Sequence, residues 1–100
     1  MKAQSVSQAY HDIIAFIETE GAPPASWHSG VTCDWANRLF IKHNVPPWSR
    51  LYKVCQCLNC DDAKAVGQQL GDFGCDCQGC DDTRNDIFVY AYRNARFFYS

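Results

Sequence analysis

Six cysteines occupy two octapeptides that repeat. Residues 55–62 read Cys-Gln-Cys-Leu-Asn-Cys-Asp-Asp and residues 75–82 read Cys-Asp-Cys-Gln-Gly-Cys-Asp-Asp. A shift of 20 superposes all three cysteines and both aspartates. The inner four, Cys57, Cys60, Cys77 and Cys80, form C-x2-C-x16-C-x2-C, within the spacing range of tetrahedral zinc sites. Two thiolates two residues apart can meet on one ion only where the chain turns tightly. Asn59 and Gly79 precede the last cysteine of each half, and both types tolerate positive φ. The expectation is a thiolate-bound metal held between the halves, with Zn2+ the favoured ion.

Cys55 and Cys75 extend the ligand set. Residues i and i+2 of an extended segment face the same side, so each outer cysteine can point where its inner neighbour points. Six thiolates would hold two zinc ions through shared sulfurs, or an iron–sulfur cluster. Alternatively, Cys55 and Cys75 are small buried residues beside a single four-cysteine zinc. Cys33 stands apart and reads as a core residue. His11, His28 and His43 have no ligand spacing to each other or to the cysteines, and read as surface or internally satisfied groups.

All-thiolate sites are coordinatively closed and do not ordinarily activate water. No histidine sits two residues before a glutamate and no proline precedes either C-x2-C, so the deaminase signature is missing. H-E-x-x-H, a P-loop, a dinucleotide fingerprint and G-x-S-x-G are missing as well. The expectation is a protein that is not an enzyme.

Charge separates along the chain. The whole carries −2, but residues 54–82 set Lys64 against Asp61, Asp62, Asp72, Asp76, Asp81 and Asp82, a net −5. Zinc on four thiolates would take that module to about −7, a surface that repels phosphate. A protein partner is therefore expected, and the module could act as an acidic inhibitor presented to the basic groove of a nucleic-acid-acting protein. Trp27 and Trp48, in Pro- and Gly-containing stretches, read as candidate partner anchors. The alternative is a nucleic-acid binder using residues 84–100, where Arg93 and Arg96 interleave with aromatics in a stacking-plus-cation composition. A third reading is an iron–sulfur electron carrier.

The elements that must position these groups are legible in outline. Val6, Tyr10, Ile13, Ile14 and Ile17 fall at helical spacing within Gln4–Glu20, and Gly21 ends that run. A loop is expected from there to about Gly30. A second helix is expected from Thr32, carrying Trp35, Leu39 and Phe40 inward and stopping at Asn44. Segment 48–55 reads as a strand, and a short helix is expected from about Asp62 to Leu70, closed by Gly71. Ile87–Tyr92 reads as a strand that Arg93-Asn94 turns into a second, Ala95–Tyr99. The expected fold is α+β in one folded unit: a helical part over 1–53, and a cysteine-rich metal-binding part with a C-terminal β-hairpin over 54–100.

With 100 residues, 47% of them hydrophobic, the chain can bury a single core. The first 20 residues lack the basic start and long apolar run of a secretion signal, and no 18-residue apolar stretch exists to span a bilayer. The expected setting is cytoplasmic, without membrane association. In that reducing compartment, clustered cysteines favour metal over disulfide.

Overall fold

The first amphipathic run folds as expected. Helix α1 spans Val6–Glu20, and the Ser5 hydroxyl caps it by accepting from the Gln8 amide at 3.2 Å. Gly21 closes it at φ 78°, in the left-handed region that glycine enters without a Cβ penalty. Ala9, Ile13 and Ile17, four residues apart along one stripe, are buried. The structure, a computed structural model, describes residues 2–21, 23–43, 45, 51–80 and 85–93, with the backbone alone for 78–80.

Five strands form one mixed sheet: β1 (Ala3–Gln4), β2 (Trp27–Thr32), β3 (Tyr52–Cys57), β4 (Asp76–Cys80) and β5 (Phe88–Arg93). Their order across the sheet is β1-β3-β5-β2-β4. β1 pairs parallel with β3 and β2 parallel with β4, while β5 runs antiparallel between β3 and β2. Helix α2, Cys60–Phe73, links β3 to β4.

The chain is thus two interleaved parallel β-helix-β units, β1–α1–β2 and β3–α2–β4. Each crossover jumps three positions in the same direction. Right-handed crossovers moving the same way put both helices on one face. On that face α1 packs beside α2, whose buried Ala63, Val66, Gly67 and Leu70 recur at helical spacing. Between helices and sheet lie Trp27, Val31, Cys55, Cys57, Val89 and Ala91.

A smaller core covers the opposite face. Leu39, Val45, Tyr90 and Tyr92 are buried there, with Trp35, Phe40, Tyr52 and Val54 packed around them. The cover is the chain after β2, including a π-helical turn over Asn37–Lys42. The helix starts later than expected: Thr32 Oγ1 accepts from the Asp34 amide at 3.1 Å in the turn before it, and Asp34 rather than Thr32 caps it, its Oδ1 accepting from the Asn37 amide at 3.1 Å. The helix is wider than expected: the His43 amide reaches back five residues to the Arg38 carbonyl at 3.1 Å.

Several expectations shift. Residues 27–32, expected as loop, form a strand next to the sheet's centre, with Trp27 and Val31 facing the helices. The N-terminal part is therefore not simply helical, since β1 and β2 join the same sheet as the cysteine-rich strands. Helix α2 starts earlier than expected, on an Asn59 cap whose Oδ1 accepts from the Asp62 amide at 2.8 Å, and runs through Gly71 to Gly74. β4 was unexpected as a strand. The second strand of the proposed hairpin, Ala95–Tyr99, lies outside the described residues, and β5 pairs with β2 and β3 instead.

Tyr90 sets one tight constraint. Its ring lies over Gly30 on the neighbouring strand, and a Cβ there would fall within clashing distance of the ring and its hydroxyl. Gly30→Ala is expected to cost about 1–3 kcal/mol, the usual penalty of overpacking. Gly67→Ala meets only the Val31 Cγ2 methyl at 3.1 Å. It should stay within about 1 kcal/mol of the wild type, because alanine regains helix propensity. Urea unfolding midpoints test the pair, and equal costs would contradict this packing.

Candidate cysteine site and a histidine–tyrosine cluster

The repeat maps onto the two parallel strands of one crossover. Cys55 and Cys57 lie on β3 with their side chains in the helix-facing core. Cys60 is the first residue of α2, so the first C-x2-C spans a strand end and a capped helix start. Cys75 precedes β4, Cys77 is on it, and Cys80 ends it.

Register decides what these strands bring together. Cys55 stands opposite Val89, Val89 opposite Val31, and Val31 opposite Cys80. The two halves therefore share one row across the sheet, with β5 and β2 between them. Three strand spacings amount to about 14 Å. Sulfurs on one tetrahedral zinc bind at about 2.3 Å and lie within about 4 Å of each other. On this register Cys57 lies on β3 and Cys77 on β4, with β5 and β2 between them. Among the described residues, no group of three or more His, Cys, Asp or Glu side chains is arranged to hold a metal ion.

The thiols differ sharply by position. Cys55 and Cys57 are buried, and Cys55 Sγ lies 3.9 Å from the Ala9 carbonyl. Burial pushes Cys55, Cys57 and Cys75 each up to about 11, with the neighbouring Cys55 thiol adding to the effect on Cys57 and that of Cys77 to the effect on Cys75. Cys60 is half-buried and Cys77 exposed. The Cys77 thiol donates to the Gly67 carbonyl at 3.6 Å and lies 3.8 Å from the Ser29 hydroxyl. Its sulfur fits beside Gly71, where a Cβ would approach it to 2.8 Å. A β-bulge separates Cys77 from Cys80: they pair with Ser29 and Val31, three residues on β4 matching two on β2.

Other expected positions are also placed. Cys33, expected in the core, is exposed, because the chain leaves the sheet just after Thr32. Trp27, expected as a surface anchor, is fully buried edge-on to Phe16 at 5.5 Å, since the alternation of β2 turns it toward α1. Arg93 is half-buried at the end of β5, opposite Trp27. Trp48 and Arg96 lie outside the described residues.

Two histidines that spacing could not connect meet on the other face. His28 Nδ1 is 2.8 Å from Asp76 Oδ2 across the β2–β4 pair. His28 and His43 each stack on Tyr92, at ring separations of 5.2 and 4.8 Å. His43 Nε2 lies 3.3 Å from the Tyr90 hydroxyl, and Arg38 also hydrogen-bonds Tyr90. The alternation Tyr90-Ala-Tyr92 was the available sequence signal: it puts both phenols on one face, although it cannot name what covers them.

Among the described residues, no helix is long and apolar enough to cross a membrane. No protein-family model, curated protein or solved structure matches the chain.

The buried thiols make a two-part prediction. At about pH 8, native Cys33 and Cys77 should alkylate first, with Cys55, Cys57 and Cys75 slower by about 100-fold from thiolate fraction alone. Because folding raises these thiol pKa values, their contribution is present below the unfolded thiol pKa and is lost as pH climbs through about 11. Stability should therefore decline from about pH 9 upward. Uniform labelling in the native state, read by mass spectrometry, would refute the burial pattern.

Proposed function

We propose that this is a non-catalytic, zinc-binding interaction protein whose metal is taken up by one half of the repeat. The observation that carries the reading is the exposed Cys77 thiol on edge strand β4, beside Cys75 and ahead of the bulge to Cys80. Cys77 and Cys80 offer two sulfur ligands in one short stretch of an edge strand, a third comes from Cys75 once its buried thiol is drawn out of the core, and the repeat's aspartates supply carboxylate near them in sequence. Cys55 and Cys57 serve the core, and Cys60 the entry to α2. Binding at three thiols releases protons, so affinity falls as pH falls.

A protein partner suits the charge. Asp61 and Asp72 are exposed on α2, the helix that Cys77 lies against, and Asp76 is exposed on β4 on the sheet's other face. Thiolates at β4 deepen that negative field even after zinc is counted. Such a face meets a basic protein surface more favourably than a phosphate backbone.

Metal analysis of protein purified without added zinc tests this, together with the cobalt-substituted visible spectrum. One equivalent of zinc is expected. Cys77→Ser should abolish it, while Cys57→Ser should retain it and lower stability. Equal loss of metal in the two variants would mean a site shared between the halves. A wild-type protein that takes up no zinc would overturn the reading outright, and a brown protein with iron and sulfide would replace it with the electron carrier.

A further inference from the structure

The segment that follows β2 covers the sheet face opposite the helices and is held there by a smaller core. The two helices share the large core, and the five strands pair through their backbones. The π-helical turn makes its backbone bonds within the segment, including His43 to Arg38 and Val45 to Leu39, the latter at 2.9 Å. Among the described residues it pairs with no strand. Side chains hold it down: Leu39 and Val45 inserted in the small core, Phe40 edge-on to Tyr52 at 5.3 Å, and His43 upon Tyr90 and Tyr92. An element tied only by side chains opens at lower free energy than the sheet beneath it.

His43 is the one anchor whose charge changes near neutrality. Tyr90 and Tyr92 of β5 and His28 of β2 face its ring, and Arg38 and Lys42 come from its own segment. The nearest described carboxylate in the cluster, Asp76 of β4, lies against His28. The charged neighbours that act on His43 are thus all basic. His43 Nε2 and the Tyr90 hydroxyl share a hydrogen bond in which either atom can donate, and a second ring proton leaves Nε2 a donor only, against a Tyr90 side chain that is fully buried.

We propose that the segment from Trp35 to Val45 is an acid-released latch, docked on the Tyr90–Tyr92 face while His43 is neutral and undocked when His43 gains a proton. Undocking uncovers Tyr52, Val54, Tyr90 and Tyr92 as a continuous aromatic strip, while α1, α2 and the sheet stay folded on their own larger core. Burial, followed by the charges of Arg38, His28 and Lys42, holds the His43 pKa below the ordinary histidine value. The sign follows: a depressed value makes docking fully stable above about pH 6.5 and progressively weaker as pH falls through the docked value.

Hydrogen exchange read by mass spectrometry on the intact chain tests it, at about pH 7.5 and about pH 5 and corrected for intrinsic rates. Amides of the latch should exchange about tenfold or more faster at the lower pH, with β3 and β5 unchanged. His43→Gln keeps a neutral hydrogen-bonding side chain, and its latch should stay protected at both pH values. The His43 ring resonance of the wild type should titrate below about 6.5, and His28→Asn should move that midpoint upward by removing a basic neighbour. Equal latch exchange at both pH values overturns the proposal. So does an opening that persists in His43→Gln, a His43 midpoint at or above the ordinary value, or loss of β3 and β5 protection together with the latch.

Discussion

Strand β5 is hydrogen-bonded on both sides, to β3 along one edge and to β2 along the other. Without it the chain holds two parallel pairs, β1–β3 and β2–β4, that share no backbone hydrogen bonds. The last of the described strands is therefore the centre of the sheet, and every other described element is placed relative to it. Val89 and Ala91 give its helix-facing side to the large core, while Tyr90 and Tyr92 build the small one. Its six residues bridge both cores and both β-helix-β units. Such pairing is long-range in sequence, and the loop-closure entropy has to be met before those contacts repay it.

The asymmetry of the two faces follows from the crossovers. Because both run the same way, both helices fall together and leave the opposite face to be covered by something else. Among the described residues the β2–β3 connection supplies that cover, with apolar residues at the right places: Trp35, Leu39, Phe40 and Val45. A polar network enters that thin cover because the strands' outward positions are His28, Tyr90 and Tyr92 rather than aliphatic residues. Buried phenols need hydrogen-bond partners, and Arg38 and His43 supply them from the covering segment.

Local rules recovered what is local. Alternation and helical spacing located α1 with its Ser5–Gly21 ends, the core of α2, and β5. They missed β2 because Trp27-His-Ser-Gly-Val-Thr holds a glycine and two small polar residues. That composition suits a strand only where a tyrosine ring fills the space above Gly30. The repeat poses a different problem. A shift of 20 does identify equivalent positions, the parallel strands at either end of a crossover, but nothing in the spacing tells how many strands the crossover passes over. Adjacent strands would have placed the cysteines within reach of one ion. Here β5 and β2 stand between them, and the meeting of His28 with His43 was invisible for the same cause.

Equal sequence patterns then acquire unequal chemistry. A thiol at Cys55 or Cys57 lies between helices and sheet, and burial above all holds it protonated to about 11. Recruiting it to a metal would require removing that proton in a low-dielectric setting and unpacking part of the large core. Cys77 faces neither cost. It stands exposed on an edge strand, its sulfur resting against a helix surface kept flat by Gly67 and Gly71. A mutation that enlarged Gly71 would press on that sulfur, whereas one at Gly67 would meet Val31 instead. The fold thus divides one repeated motif: Cys55, Cys57 and Cys75 fill the interior while Cys77 stands exposed, and the division comes from position in the fold rather than from the residues themselves.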